Sequence, residues 1–192
     1  TCSNSTFFST SSTYENTNDG VTGPNKAAAW SGSFNNTGNG WIQLSAHELG
    51  HQFNASHTFN GSGSSCFGGN VPQNDGYEIG SGTTIMSYNG LCSAGQNIPD
   101  GGEDDNYFHS SSIERMINYI TFGTGSNCGT DNMIANTTPT VNANPNNQTY
   151  TVPVNTPFEL TGTASDTEND NLTYCWEQYD EDGAGTSTLG KI

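Results

Sequence analysis

Positive charge is almost absent from this chain. Across 192 residues only Lys26, Arg115 and Lys191 carry it, against 19 Asp and Glu, for a formal net charge of −16. A surface of that sign repels phosphate backbones and anionic lipid, so nucleic acid and an anionic membrane are not expected partners. No stretch approaches the roughly 20 consecutive apolar residues of a membrane span, so no membrane insertion is expected. No secretory leader is visible either, and with Thr1 at the start the chain is expected to be a mature or excised piece. Cysteine is sparse: Cys2, Cys66, Cys92, Cys128 and Cys175 form no C-x-x-C pair, which argues against a cysteine zinc site or a redox motif. Charged residues make up only 11% of the chain while glycine contributes 24 residues, a balance that favours a loop-rich extracellular protein over a cytosolic helical enzyme. Nine Phe, eight Tyr and three Trp separate it from disordered sequences, which lack the aromatics to pack a core.

Histidine is scarce too, but it is concentrated. Of the four His, three fall in His47-Glu48-Leu49-Gly50-His51-Gln52-Phe53-Asn54-Ala55-Ser56-His57, which reads H-E-x-x-H-x-x-N-x-x-H. Residues four apart share one face of a helix, so His47 and His51 can present two imidazoles to one metal ion. Glu48 then sits where a carboxylate reaches a metal-bound water, the H-E-x-x-H arrangement of zinc proteases. His57 lies too far round to continue that face. It joins as a third ligand only if the helix stops after His51 and the chain turns back, and Asn54 stands where a left-handed residue is needed; after Gly, Asn tolerates that conformation best. Three neutral imidazoles with an open fourth position make a catalytic rather than a structural zinc site. The competing reading is an amphipathic core helix with incidental histidines.

The run from His47 to His57 resembles the long zinc signature of the metzincin metallopeptidases, with Asn54 in place of the usual Gly. Gly82-Thr83-Thr84-Ile85-Met86-Ser87-Tyr88 fits the Met-turn of that clan. Together with "HELGHQFNASHTFNGSGSSC", "TIMSYNGLC" and "DDNYFHSSSIERMINYI", the chain is most similar to bacterial reprolysin-like secreted peptidases over residues 20–128. The resemblance implies a catalytic zinc on His47, His51 and His57, Glu48 as general base, and Met86 as an apolar floor beneath the ligands; a plain core methionine is compatible with that role. It also implies that Tyr88, two residues after Met86, approaches the metal and steadies an oxyanion, the alternative being a buried structural tyrosine. Disulfides suit a secreted protein: Cys66–Cys92 would clip the loop between the third His and the Met-turn, and Cys2–Cys128 would tie the ends of the peptidase portion. Cys175 is left over, as a buried thiol. A gluzincin-like alternative would take a downstream Glu such as Glu78 as third ligand.

Along the chain, residues 1–40 are polar, with a turn signal at Thr22–Asn25. The zinc helix is expected over 45–53 with Ser45 as N-cap. Metzincin domains place on the order of 100 residues before this helix, and this chain offers 46, so much of the upper subdomain, with its substrate-binding sheet, is expected to be lacking. Tyr77–Gly80 reads as a short strand. Asp100, Asp104 and Asp105 sit in an acidic turn and are candidate Ca²⁺ ligands, against the alternative of a solvated loop; nearby His109 reads as a surface or packing residue. Ser111-Ser112-Ile113-Glu114 is a capping box opening a helix whose Ile113, Met116, Ile117 and Ile120 form one stripe, ended by Gly123 and Gly125. After Thr137-Thr138-Pro139, residues 150–154, 158–162 and 172–176 read as strands at sandwich spacing. That part resembles immunoglobulin-, cadherin- or fibronectin-like modules; Asp166, Glu168 and Asp170 are read as an acidic hairpin loop, with Ca²⁺ binding as the alternative.

The fold expected is therefore α+β: a metzincin-like catalytic portion over residues 1–136, followed by a partial all-β sandwich module over 137–192. The function expected is a secreted, zinc-dependent metalloendopeptidase, acting as a monomer on protein or peptide substrates through a zinc-activated water with Glu48 as base. The alternative is a non-catalytic zinc- or calcium-binding adhesion or interaction fragment of a secreted multidomain protein.

Overall fold

The computed structural model describes residues 39–66, 70–72, 74–98, 105–127, 134–147 and 149–181. The turn signal at 22–25 and the Cys2–Cys128 pair lie outside them. The chain divides into two compact units, one of residues 1–130 and 177–192, the other of residues 131–176. The boundary expected after residue 136 compares with one after residue 130, and the segment from Glu177 packs with the first unit.

In the first unit, helix α1 spans Asn39–Gln52. It starts six residues before the expected point: no proline stands in Gly40–Leu44, and the one glycine there, in the first turn, is tolerated. Ser45 consequently lies inside the helix rather than capping it, and its hydroxyl is buried without a partner. The far end follows the expected logic. Asn54 takes φ of 72°. The Asn54 amide donates to the His51 carbonyl at 2.9 Å and the Ala55 amide to Gly50 at 3.0 Å, the paired closure of a Schellman motif. Gly50 is needed for a different reason: a Cβ there would stand 2.5 Å from Met86 Sδ and 2.9 Å from Phe108 Cε1, so the helix and the loop beneath it touch backbone to side chain.

Beyond α1 the chain is almost all loop, organised by two small apolar clusters. Ala55, Ile85 and Met86 form one, with Ala46, Phe108 and Met116 against it. Phe59, Cys66, Val71 and Cys92 form the other, with Tyr88 against it. The Cys66–Cys92 disulfide is present and closes a span of 26 residues. The strand expected over Tyr77–Gly80 shrinks to a single parallel bridge, Phe59 with Glu78.

Helix α2 spans Ser110–Thr121. Its cap is His109, not the Ser111–Glu114 box: His109 Nδ1 accepts from the Ser111 amide at 3.2 Å, leaving that donor nothing to gain from a serine. Since Nδ1 accepts, Nε2–H donates, and it reaches the Gln178 carbonyl at 3.0 Å. His109 is thus a buried packing residue, stacked on Tyr77. Glu114 instead accepts from the Tyr179 hydroxyl. Of the apolar stripe, only Met116 reaches the core; Ile113, Ile117 and Ile120 are exposed. Arg115 ties α2 to the rest of the unit, with Nη1 at 2.6 and 2.7 Å from the two Asp75 oxygens and Nε 3.3 Å from the Asn54 carbonyl.

In the second unit, β1 (Thr140–Asn142) pairs antiparallel with β2 (Thr163–Ser165), Val141 opposite Ala164. Residues 150–154, 158–162 and 172–176 are irregular instead of strands, apart from the short turn that begins at Val154. Their large side chains, among them Val154, Phe158, Leu160 and Trp176, are exposed and gain nothing from pairing. Asp166 forms a side-chain-capped turn, accepting from the Glu168 and Asp170 amides at 2.9 and 3.0 Å, as an acidic loop does. Cys175 is a free thiol as expected, but exposed rather than buried. The described residues thus join two α-helices to one two-stranded sheet, which fits an α+β class. No described helix is long and apolar enough to cross a membrane.

Candidate metal centre

The helix and its closing turn bring the three histidines to one point. His57 Nε2 lies 3.1 Å from His47 Nε2 and 3.1 Å from His51 Nε2. The three ligand atoms all fall within 4.8 Å of one another. Imidazoles around a tetrahedral zinc at about 2.0–2.1 Å would hold their nitrogens roughly 3.3 Å apart, close to the two separations made by His57.

The other ring nitrogens explain why Nε2 is the one presented. His47 Nδ1 donates to the Ile85 carbonyl at 2.6 Å, His51 Nδ1 to Ala55 at 2.8 Å, and His57 Nδ1 to Asn70 at 2.5 Å. A carbonyl only accepts, so each Nδ1 carries the proton and each Nε2 keeps its lone pair, provided the rings are neutral. They are. Burial, then the charges of His51 and His57, drive His47 down to about 3 against the pull of Ile85. Burial lowers His51. Burial takes His57 to about 4, opposed by Asn70 and aided by His51. Three converging nitrogens, each ring fixed by a backbone carbonyl on its other side, make a donor set able to hold a metal ion.

Each carbonyl comes from a different piece of chain. Ala55 belongs to the turn that ends α1. Ile85 precedes Met86, which is wholly buried below Gly50. Asn70 lies in the loop closed by the disulfide, its amide held by the Ser65 carbonyl at 2.6 Å.

The chain matches the model of metallo-peptidase family M12, Reprolysin_5, over residues 1–99. It belongs to that family. No curated protein and no solved structure matches it.

Tyr88 lies beside the triad, and Glu48 acts on that tyrosine through its charge. Glu48 is 5% exposed, and burial raises its carboxyl to about 7. Tyr88 packs its ring 4.5 Å from that of His57 and 4.7 Å from Phe59. Burial, then the Glu48 charge, raises the Tyr88 phenol, which keeps it a donor near neutral pH. The gluzincin-like alternative falls here: Glu78 is turned away from the triad, its carboxylate taken by Thr58, Thr83 and Thr84. Of the acidic turn, Asp100 and Asp104 lie outside the described residues, and Asp105 accepts from the Thr83 hydroxyl at 2.6 Å. The three carbonyl acceptors carry no side-chain signal, and no sequence pattern could have found them.

Proposed function

We propose that this M12 chain is the catalytic portion of a secreted zinc endopeptidase acting on proteins or peptides. The convergence of three neutral Nε2 atoms, each oriented through its Nδ1–H, carries the reading together with the family match. His47, His51 and His57 would hold the zinc, which when bound supplies a Lewis acid and acidifies water. Glu48, one residue after the first ligand, takes the proton from the attacking water and delivers it to the leaving amine. Its burial suits that exchange, because a carboxyl raised toward neutrality releases a proton as readily as it accepts one. Tyr88, protonated and beside His57, donates a hydrogen bond to the developing oxyanion. Residues 82–88 act as the Met-turn, with Met86 filling the space under the helix that Gly50 leaves open.

The test is metal content by mass spectrometry alongside cleavage of a quenched casein substrate. One zinc per chain with chelator-sensitive cleavage is expected. Glu48→Gln should keep the zinc and lower turnover by about 10²–10⁴-fold. Equal turnover in the two forms would sink the mechanism, and zinc binding without any cleavage would favour a non-catalytic binding fragment.

A further inference from the structure

Glu78 is a buried carboxylate outside the triad, and its four hydrogen-bond donors come from two segments that both serve the metal centre. Oε2 accepts from the Thr58 hydroxyl and, at 2.7 Å, from the Thr84 hydroxyl. Oε1 accepts from the Thr83 and Thr84 amides at 2.9 and 3.0 Å. Thr58 follows His57, the third ligand. Thr84 precedes Ile85, whose carbonyl orients His47. The backbone repeats the clasp: the Glu78 amide donates to the Thr58 carbonyl at 2.8 Å, and the Glu78 carbonyl accepts from Asn60 at 2.8 Å. Gly82, at φ of 64°, lets the chain wrap this carboxylate, since a Cβ there would stand 2.9 Å from Glu78 Cβ. Hydrogen bonds to an ionised acceptor are the stronger kind, and removing a buried acceptor leaves its donors unsatisfied.

We propose that Glu78 is a positioning residue that couples the placement of His57 to that of the Ile85 carbonyl, and so sets the geometry of the metal centre without touching the metal. The inference rests on the zinc reading above. The His47 ring also bridges these segments, from the Ile85 carbonyl to His57 Nε2, and the Glu78 carboxylate braces them from outside the ligand set. Replacing the carboxylate would let the Thr83–Ile85 backbone relax, and the His47 ring would lose its fixed orientation. Outer-shell partners of metal-bound histidines typically contribute about 10–100-fold in metal affinity.

The experiment compares the unaltered full chain with Glu78→Gln, Glu78→Ala and Thr58→Val. Zinc affinity is read by competition with a chromophoric chelator, the cobalt-substituted site by its visible absorption, and the Thr84 amide of the metal-free chain by hydrogen exchange. Glu78→Ala should weaken zinc binding by about 10–100-fold, alter the cobalt spectrum and speed Thr84 exchange. Glu78→Gln, which keeps one acceptor oxygen, should recover part of each. Thr58→Val keeps size and fold and removes one donor, so it reports on the coupling even if Glu78→Ala fails to fold; a smaller affinity loss with the same spectral change is expected. Unaltered affinity and spectrum in Thr58→Val and Glu78→Gln would overturn the proposal while the unaltered chain still bound zinc. Failure of the unaltered chain to bind zinc would overturn the metal reading and this proposal with it.

Discussion

Residues 55–98 and residues 134–176 are alike in their polarity and unlike in what they do with it. Both are short of regular structure and rich in small polar residues, Ser and Gly in the first, Thr and Asn in the second. The first segment buries Thr58, Phe59, Asn60, Ser81 and Met86 almost completely, whereas the second leaves Val141, Tyr150, Val154, Phe158 and Leu160 exposed. The difference lies in the acceptors. Around the site, loop amides are taken by side chains: Gly80 by Asn60 at 2.8 Å, Cys92 by Asn97 at 2.8 Å, Ile98 by Ser81 at 3.0 Å. Those bonds stand in for the ladders that the loops lack, which lets a chain with few apolar residues bury backbone. In residues 134–176 the described side-chain acceptors serve exposed turns such as that of Asp166, and little is buried.

That contrast can be broken most forcefully at the disulfide. Replacing Cys66 and Cys92 by Ser opens a span of 26 residues and should lower stability by about 3.5 kcal/mol on a chain-entropy estimate. Urea denaturation would measure it, and no shift would mean that the polar network alone holds the loop. A smaller effect is expected at Gly50→Ala, where the new methyl meets Met86 Sδ; overpacking of that kind costs about 1–3 kcal/mol. Adding Met86→Leu should return part of the loss, and a Gly50→Ala chain as stable as the original would show that Met86 moves freely. The smallest effect belongs to the second unit. Phe158→Ser, at an exposed position, should change stability by less than about 0.5 kcal/mol. A loss above 2 kcal/mol in the same denaturation series would reveal an apolar contact that its exposure denies.

What could be read in advance followed from side chains whose chemistry is local. His47 and His51 share a helical face by spacing alone, and Asn54 announced the left-handed turn that delivers His57. The Cys66–Cys92 disulfide agrees with the pairing expected for the loop between His57 and residues 82–88. Boundaries were harder: α1 begins at Asn39 because a serine that can cap need not, and α2 begins under His109, whose ring outcompetes the serines beside it. The strands expected over 150–176 failed because sandwich spacing marks what could pair, not what finds a partner; among the described residues of this unit only 140–142 and 163–165 do. Glu78, the third ligand of the gluzincin-like alternative, instead accepts from Thr58, Thr83 and Thr84, since a lone acidic residue carries no mark of which donors will surround it.

The outer shell of the triad is made of main-chain oxygens at Ala55, Asn70 and Ile85. Any residue supplies such an oxygen, so the identities at positions 55 and 85 can drift as far as packing allows without disturbing the ligands. Length cannot drift in the same way. Removing one residue between His57 and Asn70 would shift two of the three carbonyls out of register with their imidazoles at once. Among homologous chains, the centre should therefore tolerate replacements along this loop far better than insertions or deletions in it.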